Sequence, residues 1–138
     1  MSATTMHSIR PTAAGQGRSR AIGVAGAVLA AVAVWAVAVP VLGIHLLIRF
    51  GNTAPQAVEL PAVVGGSLVL SLLGLGLLVA LEKLSSNART IWTAIAMIVL
   101  AASMSLPVIA ATTAATMSAL AVMHLAAAAV LIPALRRR

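Results

Sequence analysis

Apolar residues dominate this chain in four long blocks, separated by short stretches where polar and charged residues collect. The first block, residues 21–42, reads AIGVAGAVLAAVAVWAVAVPVL and carries no charge. A helix of that length spans roughly 33 Å, against a hydrocarbon core of about 30 Å. Pro40 falls near its end, where a membrane helix tolerates it best. The second block is residues 62–81, with Pro61 suited to its first turn and Glu59 just before it, near the positive end of the helix dipole. The third runs from about residue 90 to 109, with Asn87 placed to cap it and Trp92 at the depth where Trp favours the membrane interface. The fourth covers residues 114–135 and stops at Arg136, Arg137 and Arg138. Its start, Thr112-Thr113-Ala114-Ala115-Thr116, is polar without charge, and a Thr here suits the N-cap.

These blocks predict an all-α, membrane-spanning, up-down-up-down four-helix bundle, since short connections favour antiparallel neighbours. Residues 1–20 lack apolar periodicity, are rich in Ser, Thr, Gly and Arg, and read as a disordered basic tail. Residues 136–138 form a basic end. Lys and Arg are distributed one-sidedly. The tail (Arg10, Arg18, Arg20), the second connection (Lys83, Arg89) and the C-terminal Arg136, Arg137 and Arg138 hold eight of them, and the opposite side holds only Arg49. By the positive-inside rule both termini are expected in the cytoplasm. Ala36-Val37-Ala38 resembles a signal-peptide cleavage site, but the apolar stretch before it exceeds the usual 7–15 residues, so the first helix is expected to stay.

Composition narrows the function. The chain of 138 residues is 62% hydrophobic and 8% charged, with mean hydropathy +1.11, whereas a soluble domain carries about 25% charge. Its main partner is therefore the lipid bilayer. With no Cys and no Asp, and Glu59 and Glu82 as the only acids, thiol chemistry and carboxylate-pair catalysis have nothing to draw on. No enzyme activity, cofactor or metal is expected. The net charge of +7 sits at the ends of apolar blocks and is not interleaved with aromatics, so no nucleic-acid partner is expected either.

A few polar residues remain as candidates for function. His124 lies about ten residues into the fourth helix, roughly 15 Å deep. An ionisable group at mid-bilayer is a candidate site. Thr113 shares its helical stripe, and Ser71, with Ser67 on the same face of the second helix, is its expected hydrogen-bond partner. One reading is polar glue between helices; others are a permeation path or a ligand to haem or quinone. In GIHLLIRF, His45 and Arg49 are four apart and read as a short amphipathic segment at the outer interface. They serve either as a snorkelling anchor or as a holder of an anionic headgroup, with Glu59 able to pair with Arg49. The small residues Gly23, Gly26 and Ala30 of the first helix permit close packing, inside the bundle or in a homo-oligomer.

The strings AVWAVAVPVLG, LLIRFGNTAPQAV, ARTIWT and ATTAAT…MHLAAAAVLIPAL resemble a family of actinobacterial four-helix membrane proteins, catalogued as a domain of unknown function. The resemblance spans roughly residues 20–137, with Trp35, Pro40, Arg49, Pro55, Trp92, Thr113 and His124 inside its motif words. It implies the four-helix topology and an actinobacterial plasma membrane, and transfers no activity. Residues and resemblance together point to a small non-enzymatic accessory or structural membrane component, acting in a larger complex or as a homo-oligomer.

Overall fold

The computed structural model describes residues 13–137. Helix α1 (Ala13–Ala36) continues into a wider π-type turn (Val37–Val41). A two-stranded hairpin follows, β1 (Leu47–Ile48) and β2 (Gln56–Ala57). Then come α2 (Leu60–Leu84), α3 (Ala88–Ser103), the short α4 (Ser105–Ala110) and α5 (Ala114–Arg136). Four spans are long and apolar enough to cross a membrane: Gly15–Val41, Leu60–Leu84, Ala88–Ala110 and Ala114–Arg136.

The spans pack as a square, with α1 between α5 and α2, and α3 closing the ring between α2 and α5. The helices α2 and α5 lie on a diagonal and scarcely touch. The seam between α1 and α5 is the most extensive, and small residues make it. A Cβ on Gly23 would lie 2.8 Å from Ala134 Cβ, and one on Gly26 would lie 3.0 Å from Val130 Cγ1. Ala27 and Ala31, farther along this side of α1, are buried. Lipid tails are as apolar as leucine, so helices in a bilayer are held by close backbone approach rather than by expulsion of water. Gly23 and Gly26 are therefore used within one chain. The leucines and isoleucines that would fill a soluble core point outward instead: Leu29, Leu70, Leu73, Ile98 and Ile109 are all exposed. Two cores remain inside. One joins Ala31, Ala38, Leu46, Val63, Ala119 and Met123; the other joins Leu78, Trp92 and Leu135.

Several sequence expectations change. The first helix begins at Ala13, about two turns before the apolar block, so residues 13–20 are helical rather than part of a disordered tail. No proline interrupts this stretch, and Arg20 is tied to Glu82. The expected disorder of residues 1–12 lies outside the described residues. Pro40 sits in the π-type turn, where the Leu42 N–H reaches back five residues to the Val37 carbonyl at 2.9 Å. Gly43, at φ +65°, turns the chain, and the Ile44 N–H donates to the Ala38 carbonyl at 2.9 Å. A left-handed residue here favours glycine, which has no Cβ to clash.

The third span is broken at Met104. Pro107 has no N–H for the Ser103 carbonyl, which ends α3, and Ser103 and Ser105 donate their hydroxyls to the Leu100 and Ala102 carbonyls. Trp92 packs inside the bundle. It is 2% exposed, and its Nε1–H donates to the Gly74 carbonyl of α2 at 2.7 Å. Asn87 occupies the N-cap position of α3 without a side-chain cap bond.

Candidate functional site

The bundle has two chemically different ends. Antiparallel packing gathers the start of α1, the α2–α3 connection and the end of α5 at one of them. Arg18, Arg20, Lys83, Arg89, Arg136 and Arg137 all collect at this basic end. Glu82 is its hub. Arg20 Nη2 reaches both carboxylate oxygens, 2.7 Å to Oε1, and Arg89 approaches Oε1 from the other side at 3.4 Å. One carboxylate thus joins α1, α2 and α3. All three side chains are more than two-thirds buried, and Arg89 Nη1 has no partner among the described residues.

The opposite end is capped by the hairpin. The segment around His45 and Arg49 is not the expected amphipathic helical turn but extended backbone, with Leu47 paired to Ala57 and Ile48 to Gln56. It is held from both sides. The Val58 N–H donates to the Leu46 carbonyl at 2.8 Å, the Arg49 N–H to the Ala110 carbonyl at 2.8 Å, and Thr112 Oγ1 to the Leu47 carbonyl at 3.0 Å. Backbone pairing with both the α2 approach and the α4–α5 connection satisfies polar groups that one isolated helical turn would leave open. His45 and Arg49 therefore stand about 13 Å apart along an extended chain instead of one turn apart. The two part company. His45 lines a groove of about 330 Å³ with Glu59, Trp35, Val39 and Leu60, and Arg49 is not among its walls. No Glu59–Arg49 ion pair forms among the described residues.

The interior polar residues do not converge. His124 is half-buried, and its Nδ1 lies 2.8 Å from the Leu120 carbonyl of its own helix. Ser71 is buried on α2, yet it makes no bond to His124. The two occupy the diagonal pair of helices. Moreover Met123 shares a core with Val63, and Ser71 is eight residues, about 12 Å, farther along α2. Ser67 donates to the Val63 carbonyl of its own helix at 2.6 Å. Thr113 is the N-cap of α5, accepting from the Thr116 N–H at 3.1 Å, so it caps the helix as expected and lies far from His124. A permeation path would need these four side chains to face one another. Three of them bond to backbone in or beside their own helix.

The match to known sequences covers this whole frame. Residues 11–138 fit the family described as "Family of unknown function (DUF6069)". The chain belongs to the DUF6069 family. No curated protein and no solved structure matches it. The DUF6069 match takes in all four spans, the hairpin and both ends of the described bundle.

Three residues of this DUF6069 chain escaped the sequence reading. Glu82 directly follows the second apolar block, and a lone acid among eight basic residues is a visible signal for an ion-pair hub. Thr116 is fully buried and donates its hydroxyl to the His45 carbonyl at 3.2 Å, pinning the hairpin to α5. Trp35 donates Nε1–H to the Val58 carbonyl at 2.8 Å, which ties the end of α1 to the entry of α2. Both contacts reach across more than 20 residues of chain, and no local pattern announces them.

Proposed function

We propose that this DUF6069 protein is a non-enzymatic accessory component of a plasma-membrane assembly, seated with its basic end in the cytoplasm. The placement rests on the positive-inside rule: the basic end holds six of the seven Lys and Arg among the described residues, and the hairpin end holds Arg49.

The accessory role rests on one observation about α2. Gly65, Gly66 and Gly76 would each meet nothing within 4 Å if given a Cβ. Gly65 and Gly76 are eleven residues apart, about three turns, and so share a face. A glycine turned to lipid gains no packing, and it lowers helix propensity by about 1 kcal/mol relative to alanine. Close approach by another helix uses such a face. Gly23 and Gly26 of α1 already serve the seam with α5, and Gly74 of α2 packs on Trp92, while Gly65, Gly66 and Gly76 are unspent in the chain's own fold. A second transmembrane helix, from another subunit or a second copy, is the natural occupant.

The test is purification of the tagged full chain from its native membrane in mild detergent, with mass spectrometry and an absorption spectrum of what accompanies it. A stoichiometric membrane partner or a stable homo-oligomer is expected, and a bulky residue at Gly65 or Gly76 should release it. A colourless monomer in every mild detergent would refute the reading. A Soret band would replace it with a redox role.

A further inference from the structure

The groove at the hairpin end has features that packing and topology leave unused. Its walls are the ends of two membrane spans and the hairpin strands: Trp35 and Val39 from the first span, Leu60 from the second, His45 and Glu59 on the rim. A groove walled by the last turns of two spans lies at the depth of lipid headgroups. Its volume of about 330 Å³ falls within the range of small-ligand sites, which are mostly apolar with a few convergent polar groups.

Glu59 is the informative residue. The chain has two acids in all, and Glu82 is taken by Arg20 and Arg89. Glu59 occupies the N-cap position of α2, yet its side chain makes no cap bond. It makes no ion pair among the described residues, and its nearest cation in sequence, Arg49, does not line the groove. One carboxylate therefore stands on a mostly apolar groove with no ion-pair partner among the described residues. Beside it, the indole N–H of Trp35 is already spent on the Val58 carbonyl, so this residue offers the groove only ring surface. Such a surface attracts cations through its quadrupole. His45 is held in place through its carbonyl, which accepts from Thr116, and its imidazole is left to serve as a hydrogen-bonding group on the same rim.

We infer that this groove binds the headgroup of a primary-ammonium phospholipid, of the phosphatidylethanolamine class. The Glu59 carboxylate accepts from the ammonium, the Trp35 ring flanks it, and His45 donates to the phosphate. Val39 and Leu60 hold the first carbons of the lipid body. Charge complementarity reverses the sequence expectation of an anionic ligand at His45 and Arg49, because the groove that His45 lines takes in Glu59 and not Arg49. The inference needs the chain to span a bilayer and does not depend on which leaflet the hairpin faces or on any protein partner.

The deciding experiment is native mass spectrometry of the full chain, equilibrated in detergent with equimolar phosphatidylethanolamine, phosphatidylcholine and phosphatidylglycerol, then gradually delipidated. Retention of phosphatidylethanolamine over phosphatidylglycerol by about fivefold is expected, the size of one exposed charge pair, and a smaller preference over phosphatidylcholine, whose quaternary ammonium has no N–H to donate to the carboxylate. Glu59→Gln should bring the ratio close to one, and Glu59→Asp should keep a preference. Glu59 is exposed and its side chain makes no cap bond, so neither variant threatens the fold, and a circular-dichroism melt checks that. Three outcomes overturn the inference. These are a preference for phosphatidylglycerol, equal retention of phosphatidylcholine and phosphatidylethanolamine, and a phosphatidylethanolamine preference that survives Glu59→Gln.

Discussion

Substituting Gly23 by Ala tests whether the seam between α1 and α5 holds the bundle. The added Cβ would lie 2.8 Å from Ala134 Cβ and 3.9 Å from Ala134 Cα. Carbon atoms pack best at about 3.5–4.0 Å, so the two helices must part by roughly 1 Å. A gap of that size forfeits a quarter to a half of each dispersion contact it opens, and overpacked interiors lose about 1–3 kcal/mol. Against this stands the higher helix propensity of Ala, worth up to about 1 kcal/mol. The net expectation is a loss of about 1–2 kcal/mol. Gly65→Ala is the matched control. Its Cβ meets nothing within 4 Å, so only the propensity gain remains, and that variant should be neutral or slightly more stable in the isolated chain. The assay is reversible unfolding in mixed micelles of mild detergent and dodecyl sulfate, followed by circular dichroism. Adding Ala134→Gly to Gly23→Ala removes the opposing Cβ, and the pair should show a favourable coupling of about 1–2 kcal/mol. If Gly23→Ala unfolds together with Gly65→Ala, or if Ala134→Gly brings no relief, close approach at this seam is not what holds the helices.

Glu82→Gln removes the carboxylate shared by Arg20 and Arg89 and leaves two mostly buried guanidinium groups in place, so a loss of about 2 kcal/mol is expected in the same titration, and an unchanged midpoint would show the hub to be ornamental. His124→Ala should shift stability by less than about 1 kcal/mol, because the imidazole bonds to its own helix; a loss of several kcal/mol would restore it as glue between helices. The chain lacks cysteine, so single cysteines can report orientation against a clean background. A maleimide that cannot cross the membrane should label Asn52→Cys from outside intact cells and spare Ser86→Cys, and the reverse pattern would overturn the cytoplasmic placement of the basic end.

Residues with a local physical cause were legible along the chain. Runs of some 20 apolar residues imply spans, a Thr before an alanine-rich block caps it, and Gly23 and Gly26 invite close packing. What failed were pairings over distance. His124 and Ser71 have similar depth when counted from their own helix ends, but depth does not say which helices are neighbours. His45 and Arg49 have helical spacing, yet four residues are too few to choose a helix over a strand when partners across the fold offer backbone bonds.

The sequence by itself thus determined the class of the protein. It sets a lipid solvent, four spans and a one-sided charge, because hydropathy and Lys/Arg distribution act residue by residue on transfer into a membrane. Tertiary structure alone decided the rest. It closed the helices into a square with α2 and α5 on the diagonal, buried Trp92, and made Glu82 a hub. It also lined the groove at His45 with Glu59 and not Arg49. Each of these depends on contacts between residues far apart in the chain, where the gain from packing and hydrogen bonding is collective and no short stretch contains both partners.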